Sequence, residues 1–165
     1  MALLTSRRAQ NAAGFLACAA MIGYALYAQY VEGLNPCPLC WFQRVEIFAL
    51  GVVFLLAAVH NPRKVGSRIY AMLLAVAALT AVSTAARHLW IQSLPPGSVP
   101  SCGASVDYLF EIMPVFDVIK KVLSGSGECQ HVDTLLGLSW PWWTLISTTV
   151  LGIWGVAINW KPSRR

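Results

Sequence analysis

The amino-acid sequence predicts an all-α membrane protein, built as a bundle of four transmembrane helices. Two observations predict this class. Of the 165 residues, 57% are apolar and only 12% are charged, whereas soluble domains carry about 25% charged residues. Four apolar stretches are also long enough to cross a hydrocarbon core about 30 Å thick, which takes about 20 helical residues. This composition excludes an ordinary water-soluble domain.

The four predicted spans belong to a single integral-membrane domain, residues 1–165. Helices are expected because backbone polar groups in lipid must be satisfied within the same segment. The spans cover residues 12–30, 42–59, 69–86 and 142–160. Two loops on one side of the membrane, residues 31–41 and 87–141, connect them.

The charged residues predict the orientation of the bundle. Most basic residues flank the spans on one side, without acidic neighbours: Arg7, Arg8, Arg63, Lys64, Arg68, Lys161, Arg164 and Arg165. Basic flanks remain in the cytoplasm, so we expect both termini inside and both loops outside. The net charge of +5 is thereby explained by topology and gives no reason to expect nucleic-acid binding.

Four of the five cysteines fall in the two outer loops. Cys37 and Cys40 form a Cys-Pro-Leu-Cys motif before the second span, and Cys102 and Cys129 lie in the second loop. Disulfides persist outside the cytosol, so two cysteine pairs are expected there. Cys18 lies in the middle of the first span, where we expect a buried thiol with a packing role.

Three interpretations of the Cys37–Cys40 motif stay open at this point. A structural zinc site with all four outer cysteines is disfavoured. Such sites use two pairs of cysteines that are each closely spaced in the sequence, whereas Cys102 and Cys129 are far apart in the sequence. A static disulfide between Cys37 and Cys40 is also disfavoured. So small a ring removes little conformational entropy from the unfolded chain and would therefore stabilise the fold little. A dithiol that cycles between oxidised and reduced forms is typical of this spacing.

Arg44 strengthens the redox interpretation. It follows Cys40 by one helical turn and lies on the same helix face. Cys40 itself is at the start of the helix, where the helix dipole favours a thiolate. The cation of Arg44 would stabilise the Cys40 thiolate and could bind a carbonyl oxygen, although an arginine there can also extend to the interface. His88 is either an interfacial residue or the lining of a small-ligand site, and Trp41 and Phe42 are candidate aromatic walls.

The second loop contains a short amphipathic segment, predicted to lie on the membrane surface and to be interrupted near Pro114. Sequences rich in Pro, Gly and Ser flank it, at residues 95–97 and 124–127. They predict that Cys102 and Cys129 sit on mobile arms. The pair is then either a mobile redox pair or a stabilising disulfide.

The string Cys-Pro-Leu-Cys-Trp-Phe-Gln-Arg at residues 37–44, followed by a long outer loop with Cys102 and Cys129, resembles the disulfide bond formation protein B (DsbB) family. The resemblance covers nearly the whole chain. It implies an enzyme of the bacterial inner membrane that reoxidises the periplasmic dithiol oxidase DsbA and passes the electrons to quinone.

The family pattern also implies roles for individual residues. Cys37 and Cys40 match the quinone-coupled pair, and Cys102 and Cys129 match the pair that meets DsbA. Arg44 would hold the thiolate and the quinone, with His88 near the ring. Ubiquinone is the expected acceptor and menaquinone the alternative. No metal is expected, and a monomer suffices for the chemistry.

Two other classes of protein are also considered. A vitamin K epoxide reductase-like protein is likewise a small helical bundle with a quinone-coupled C-x-x-C, but there this motif follows the loop cysteines, whereas here it precedes them. A non-enzymatic membrane protein with two static disulfides would not oxidise a dithiol partner in the presence of quinone.

Overall fold

The computed structural model describes residues 6–63, 65–99 and 106–160. Four long helices form a bundle: α1 (Arg7–Tyr30), α2 (Pro38–His60), α3 (Val65–Gln92) and α6 (Trp140–Trp160). Each of them is long and apolar enough to cross a membrane. The fold class predicted from the sequence is therefore confirmed.

The helices extend past the predicted apolar spans because hydropathy marks the apolar middle of a helix and not its ends. Helix α2 begins at Pro38, whose ring presets the helical φ angle, and ends where Asn61 adopts a left-handed φ of 42°. Helix α3 continues to Gln92. As a result, Cys40 and His88 lie within helices and not in the loops beside them.

The connection between α3 and α6 contains short elements. Its amphipathic part forms α4 (Val106–Ile112) and α5 (Val115–Ser124), separated at Pro114 as predicted. A 3-10 helix (Gly127–Gln130) and an antiparallel hairpin of β1 (Thr134–Leu135) and β2 (Leu138–Ser139) follow. The hairpin was not predicted; its turn has positive φ angles at Leu136 and Gly137, as two-residue hairpin turns require. The position of α4 and α5 on the membrane surface stays a prediction.

Helix α1 packs mainly on α2, and α3 packs mainly on α6 and α2. The central core consists of Cys18, Ile47, Leu50, Phe54, Leu74, Ala78 and Leu151. Cys18 is thus buried in the core, where the sequence placed it. A second apolar cluster lies at the end of the bundle where α1 ends and α2 begins, which we call the cysteine end; it comprises Cys37, Leu39, Ile91, Leu109, Val118, Val122 and Cys129.

Glycines allow the helices to approach closely. A Cβ atom at Gly152 of α6 would lie 2.5 Å from the Cβ of Ala78 on α3, and one at Gly14 of α1 would lie 2.7 Å from the Phe54 ring. Such contacts matter in a membrane, because lipid is as apolar as the helix surfaces and close packing itself must hold the helices together.

Polar contacts join the helices at the opposite end. The side-chain amides of Asn11 and Asn159 donate hydrogen bonds to each other over 2.9 and 3.2 Å. Arg7 donates to the backbone carbonyls of Ile158 and Pro62. Because buried polar groups need partners where water is absent, these contacts fix α1 against α6 near the two termini.

The contact between Gly152 and Ala78 leads to a stability prediction. Gly152→Ala should lower the free energy of unfolding by about 1–3 kcal/mol, because the new methyl group overpacks the α3–α6 interface. Gly23→Ala is the matched control, since nothing lies within 4 Å of a Cβ there. Thermal unfolding of both variants in detergent measures the difference; equal midpoints would contradict the packing argument.

Candidate functional site

Cys37 and Cys40 lie at the first turn of α2. Cys37 is the residue before the helix, and its Sγ atom is 3.5 Å from the Sγ of Cys40. Both are free thiols. The first backbone N–H groups of a helix lack intrahelical partners and attract negative charge, so this position suits a thiolate.

Cys129 joins the Cys37–Cys40 pair from the 3-10 helix. It is 0% exposed, and its Sγ lies within 4.8 Å of both the Cys37 Sγ and a ring nitrogen of His88. A hydrogen bond with the Cys37 thiol, together with burial, raises the pKa of Cys129. Cys37 therefore stands between two possible disulfide partners, Cys40 and Cys129.

In this arrangement the segment that carries Cys129 is docked against the end of α3. The Gln130 amide donates to the carbonyls of Leu94 and Pro95 just after α3. Gly125 also lies close to Ile91, where a Cβ would meet that side chain at 2.5 Å. The absence of a side chain at Gly125 therefore permits this close docking, and the mobility of the Cys129 arm stays a prediction. Cys102, the fourth predicted cysteine, lies outside the described residues.

His88 of α3 faces this cluster and is 2% exposed. Its Nε2 atom lies 3.2 Å from the backbone carbonyl oxygen of Cys129 and 3.8 Å from the Cys37 Sγ. Its Nδ1 atom lies 3.3 Å from the side-chain nitrogen of Gln43 on α2. The predicted site residue His88 is therefore brought together with three of the predicted cysteines. Sequence reasoning missed Gln43, although it precedes Arg44 directly.

A cavity of about 430 Å³ opens beside the dithiol. Cys40, Arg44 and His88 all line it, as do the aromatic rings of Tyr24, Trp140 and Trp143. Tyr24 and Trp140 are stacked with ring centroids 5.6 Å apart. The cavity thus combines flat apolar walls with a cation and a thiol.

The aromatic walls differ from those that the sequence predicted. Trp41 and Phe42 are not among the lining residues; Trp41 packs against Phe42 and Phe110 instead. Residues of α2 that are one and two positions past Cys40 point away from the helix face that carries Cys40 and Arg44. The aromatic walls come from Tyr24 of α1 and from Trp140 and Trp143 of α6.

Arg44 is held by hydrogen bonds to α1. Its guanidinium donates to the Gln29 side-chain oxygen and, over 3.0 Å, to the Ala25 carbonyl. Glu46, two residues further along α2, accepts a 2.8 Å hydrogen bond from Thr84 on α3. Arg44 therefore keeps its charge at the cavity wall without a carboxylate among the described residues.

The three donor atoms of Cys37, His88 and Cys129 are close enough together to hold a metal ion. This set differs from the four-cysteine zinc site considered from the sequence. A tetrahedral structural site would need a fourth ligand, and Cys40, the other cysteine of this end within the described residues, lines the cavity. Those residues therefore supply three of the four ligands that such a site needs.

Helix α5 covers the cysteine cluster. Val118 and Val122 are buried against the apolar cluster that contains Cys37 and Cys129. Arg87 of α3 donates to the carbonyl oxygens of Leu123 and Ser124 at the end of α5 over 3.0 and 3.4 Å, and lies over the Trp90 ring. A cation at these otherwise unpaired carbonyls stabilises the helix end.

A family model described as "Disulfide bond formation protein DsbB" matches residues 7–158. The chain belongs to the DsbB family. The matched region contains the cysteine motif, α1, α2, α3, the second loop and all but the last two residues of α6. Membership implies that the chain is a multi-pass membrane protein with disulfide oxidoreductase activity. The family as a whole is linked to quinones and to DsbA-type partners.

Curated relatives of this DsbB-family chain share its length. The protein named Disulfide bond formation protein B from Methylococcus capsulatus is 45% identical over 162 residues, which is 98% of this chain and 99% of the relative. The protein of the same name from Chromohalobacter salexigens is 50% identical, over 84% of this chain and 81% of its own length. The one from Marinobacter nauticus is 46% identical, over 87% of this chain and 86% of its own length.

The contact between Arg87 of α3 and the end of α5 leads to a prediction. Arg87→Ala should expose the end of α5 and speed amide exchange in residues 115–124 about fivefold, because a hydrogen bond to a charged donor is lost. Hydrogen–deuterium exchange measures this. Arg68→Ala, at the opposite end of the bundle, is the control. Unchanged exchange in α5 would show that the Arg87 contact does not hold it.

Proposed function

We propose that this DsbB-family protein is a thiol:quinone oxidoreductase that reoxidises a DsbA-like periplasmic dithiol oxidase. The observation that carries the proposal is the position of Cys37. Its sulfur lies between Cys129, which belongs to the loop, and Cys40, which borders an aromatic cavity with Arg44. This arrangement supports the transfer of a disulfide from the cavity side to the loop side.

Exchange begins with the reduced partner. By resemblance to the family, a thiolate of the partner attacks Cys102 in a Cys102–Cys129 disulfide, and the electron pair of the broken bond leaves on Cys129. The Cys129 sulfur then attacks Cys37 in a Cys37–Cys40 disulfide. A Cys37–Cys129 bond forms, the Cys37–Cys40 bond breaks, and its electron pair remains on Cys40. The short distances from Cys37 to both sulfurs support this second step. The second thiolate of the partner attacks the partner sulfur of the mixed disulfide, which releases the partner in its disulfide form and leaves the electron pair on Cys102.

Cys40 then faces the cavity as a thiolate. The first turn of α2 stabilises this negative charge, and Arg44 supplies a cation on the same wall. The flat rings of Tyr24, Trp140 and Trp143 suit a planar aromatic ligand, and the guanidinium suits its carbonyl oxygen. Once Cys37 is released from Cys129, quinone, when bound, would accept the two electrons and two protons that leave as the Cys37–Cys40 disulfide forms again. Ubiquinone is the proposed acceptor, with menaquinone as the alternative.

The proposed location is the bacterial inner membrane, with both termini in the cytoplasm. Arg7, Arg8, Arg63 and Arg68 lie at the end of the bundle opposite the cysteines. Basic residues remain on the cytoplasmic side, which puts the cysteine end in the oxidising periplasm. A monomer would suffice, since a single chain supplies Cys37, Cys40, Cys129 and the cavity.

Cys40→Ser should abolish quinone reduction, because no sulfur would then carry electrons to the cavity. The assay combines full-length protein in detergent, a reduced DsbA-type oxidase and a water-soluble ubiquinone, and follows the quinone absorbance. Cys18→Ser, which removes a core thiol, is the matched control and should turn over normally. Catalytic turnover by the Cys40 variant would contradict the proposal, and absence of turnover by the unmodified folded protein would favour static disulfides.

Arg44→Ala should raise the KM for quinone about tenfold, the size expected for losing a hydrogen bond to a charged group. Formation of disulfides among the outer cysteines by a chemical oxidant should be unaffected. Arg44→Lys should restore only part of the affinity, since an ammonium cannot reproduce the planar guanidinium contacts. A normal KM in the alanine variant would sink the role assigned to Arg44.

A further inference from the structure

Two contacts of the His88 ring define which nitrogen carries the proton. The carbonyl oxygen of Cys129 can only accept a hydrogen bond, so Nε2, at 3.2 Å from it, must donate. The Gln43 amide nitrogen can only donate, so Nδ1, at 3.3 Å, must accept. Both contacts select the same neutral tautomer, with the proton on Nε2.

This tautomer directs an N–H group to the reacting sulfurs. The Cys37 Sγ lies 3.8 Å from Nε2, within the longer range of hydrogen bonds to sulfur. Gln43 and His88 are only 3% and 2% exposed, which limits the competition from water for these contacts. The Gln43 amide itself does not touch a sulfur in the described structure; its contact is with the ring.

We propose that Gln43 is a positioning residue for disulfide exchange: it fixes the His88 tautomer whose Nε2–H stabilises the thiolate of Cys37. The step concerned is the opening of the Cys37–Cys129 disulfide. An incoming thiolate attacks Cys129, a new sulfur–sulfur bond forms there, the Cys37–Cys129 bond breaks, and its electron pair remains on Cys37. The hydrogen bond from His88 stabilises that negative charge.

This assignment gives His88 a task beyond lining the cavity. Its polar contacts are with Cys37, the Cys129 backbone and Gln43, and they belong to the exchange between the two cysteine pairs. Cys40 and Arg44, one turn apart along α2, serve the cavity side. The place of this contact in the catalytic cycle rests on the proposed function, whereas the contact itself is testable without quinone or partner.

The test uses full-length protein with Cys40→Ser and Cys102→Ser, in which Cys37 and Cys129 form the remaining outer disulfide. The equilibrium constant for opening this disulfide with glutathione is measured in detergent. Gln43→Leu should lower the constant about tenfold, as expected for weakening a hydrogen bond to a charged sulfur. Thr84→Val, which removes a polar contact between the same two helices without touching His88, is the matched control and should leave it unchanged.

A double variant separates positioning from simple packing. His88→Phe should lower the constant at least as much as Gln43→Leu, and adding Gln43→Leu to it should have no further effect, because coupled residues are not additive. A full additional loss in the double variant would overturn the proposal. If Gln43→Leu does not fold, Gln43→Met, which keeps the length of the side chain without its amide, replaces it.

The tautomer is read independently from the ring ¹⁵N chemical shifts of His88, assigned with His60 and His131 replaced. The unmodified protein should show the Nε2–H form alone, and Gln43→Leu should add a measurable fraction of the Nδ1–H form, since only the Cys129 carbonyl then still favours Nε2–H. An unchanged single Nε2–H form in the Gln43 variant would overturn the positioning role. Glutathione and chemical shifts need no quinone, so failure here is distinguishable from failure of the quinone assay.

Discussion

The burial of one sulfur at the start of a helix is the constraint on which the cysteine end depends. Cys37 precedes α2, and Pro38 fixes where the helix begins. The helical turn then places the Cys40 sulfur 3.5 Å away. Because α2 is packed along its length against α1 and α3, the position of this sulfur is set by the whole bundle. The loop cysteine Cys129 and the ring of His88 are arranged around it.

Polar side chains between α2 and α3 are costly in an apolar environment unless each finds a partner. Gln43 pairs with His88, and one turn deeper Glu46 pairs with Thr84. These pairs fix how α2 and α3 are aligned beside Cys37 and Cys129. On the other face of α2, Arg44 is paired with α1. Two sets of polar contacts therefore flank the dithiol. The contact with Gln43 holds His88 near Cys37, and the contacts with α1 hold Arg44 at the cavity that Cys40 also lines.

The loop that carries Cys129 is held by small contacts rather than by a large core. Val118 and Val122 provide the apolar part, while Arg87 and Gln130 bind backbone carbonyls. Segments with few buried contacts open at low free energy. Such docking is compatible with the proposed exchange, in which Cys129 meets Cys37 in one step and another sulfur in the next.

The sequence by itself determined the class of the fold, the four helices, the break at Pro114 and the shared face of α2 for Cys40 and Arg44, because these follow from hydropathy, proline geometry and spacing along one chain segment. Only the tertiary structure decided that Cys129 is docked beside Cys37, that Trp140 and Trp143 wall the cavity in place of Trp41 and Phe42, and that Gln43 binds His88. Those contacts join residues distant in sequence. Their geometry depends on how helices rotate and cross, and no local pattern encodes it.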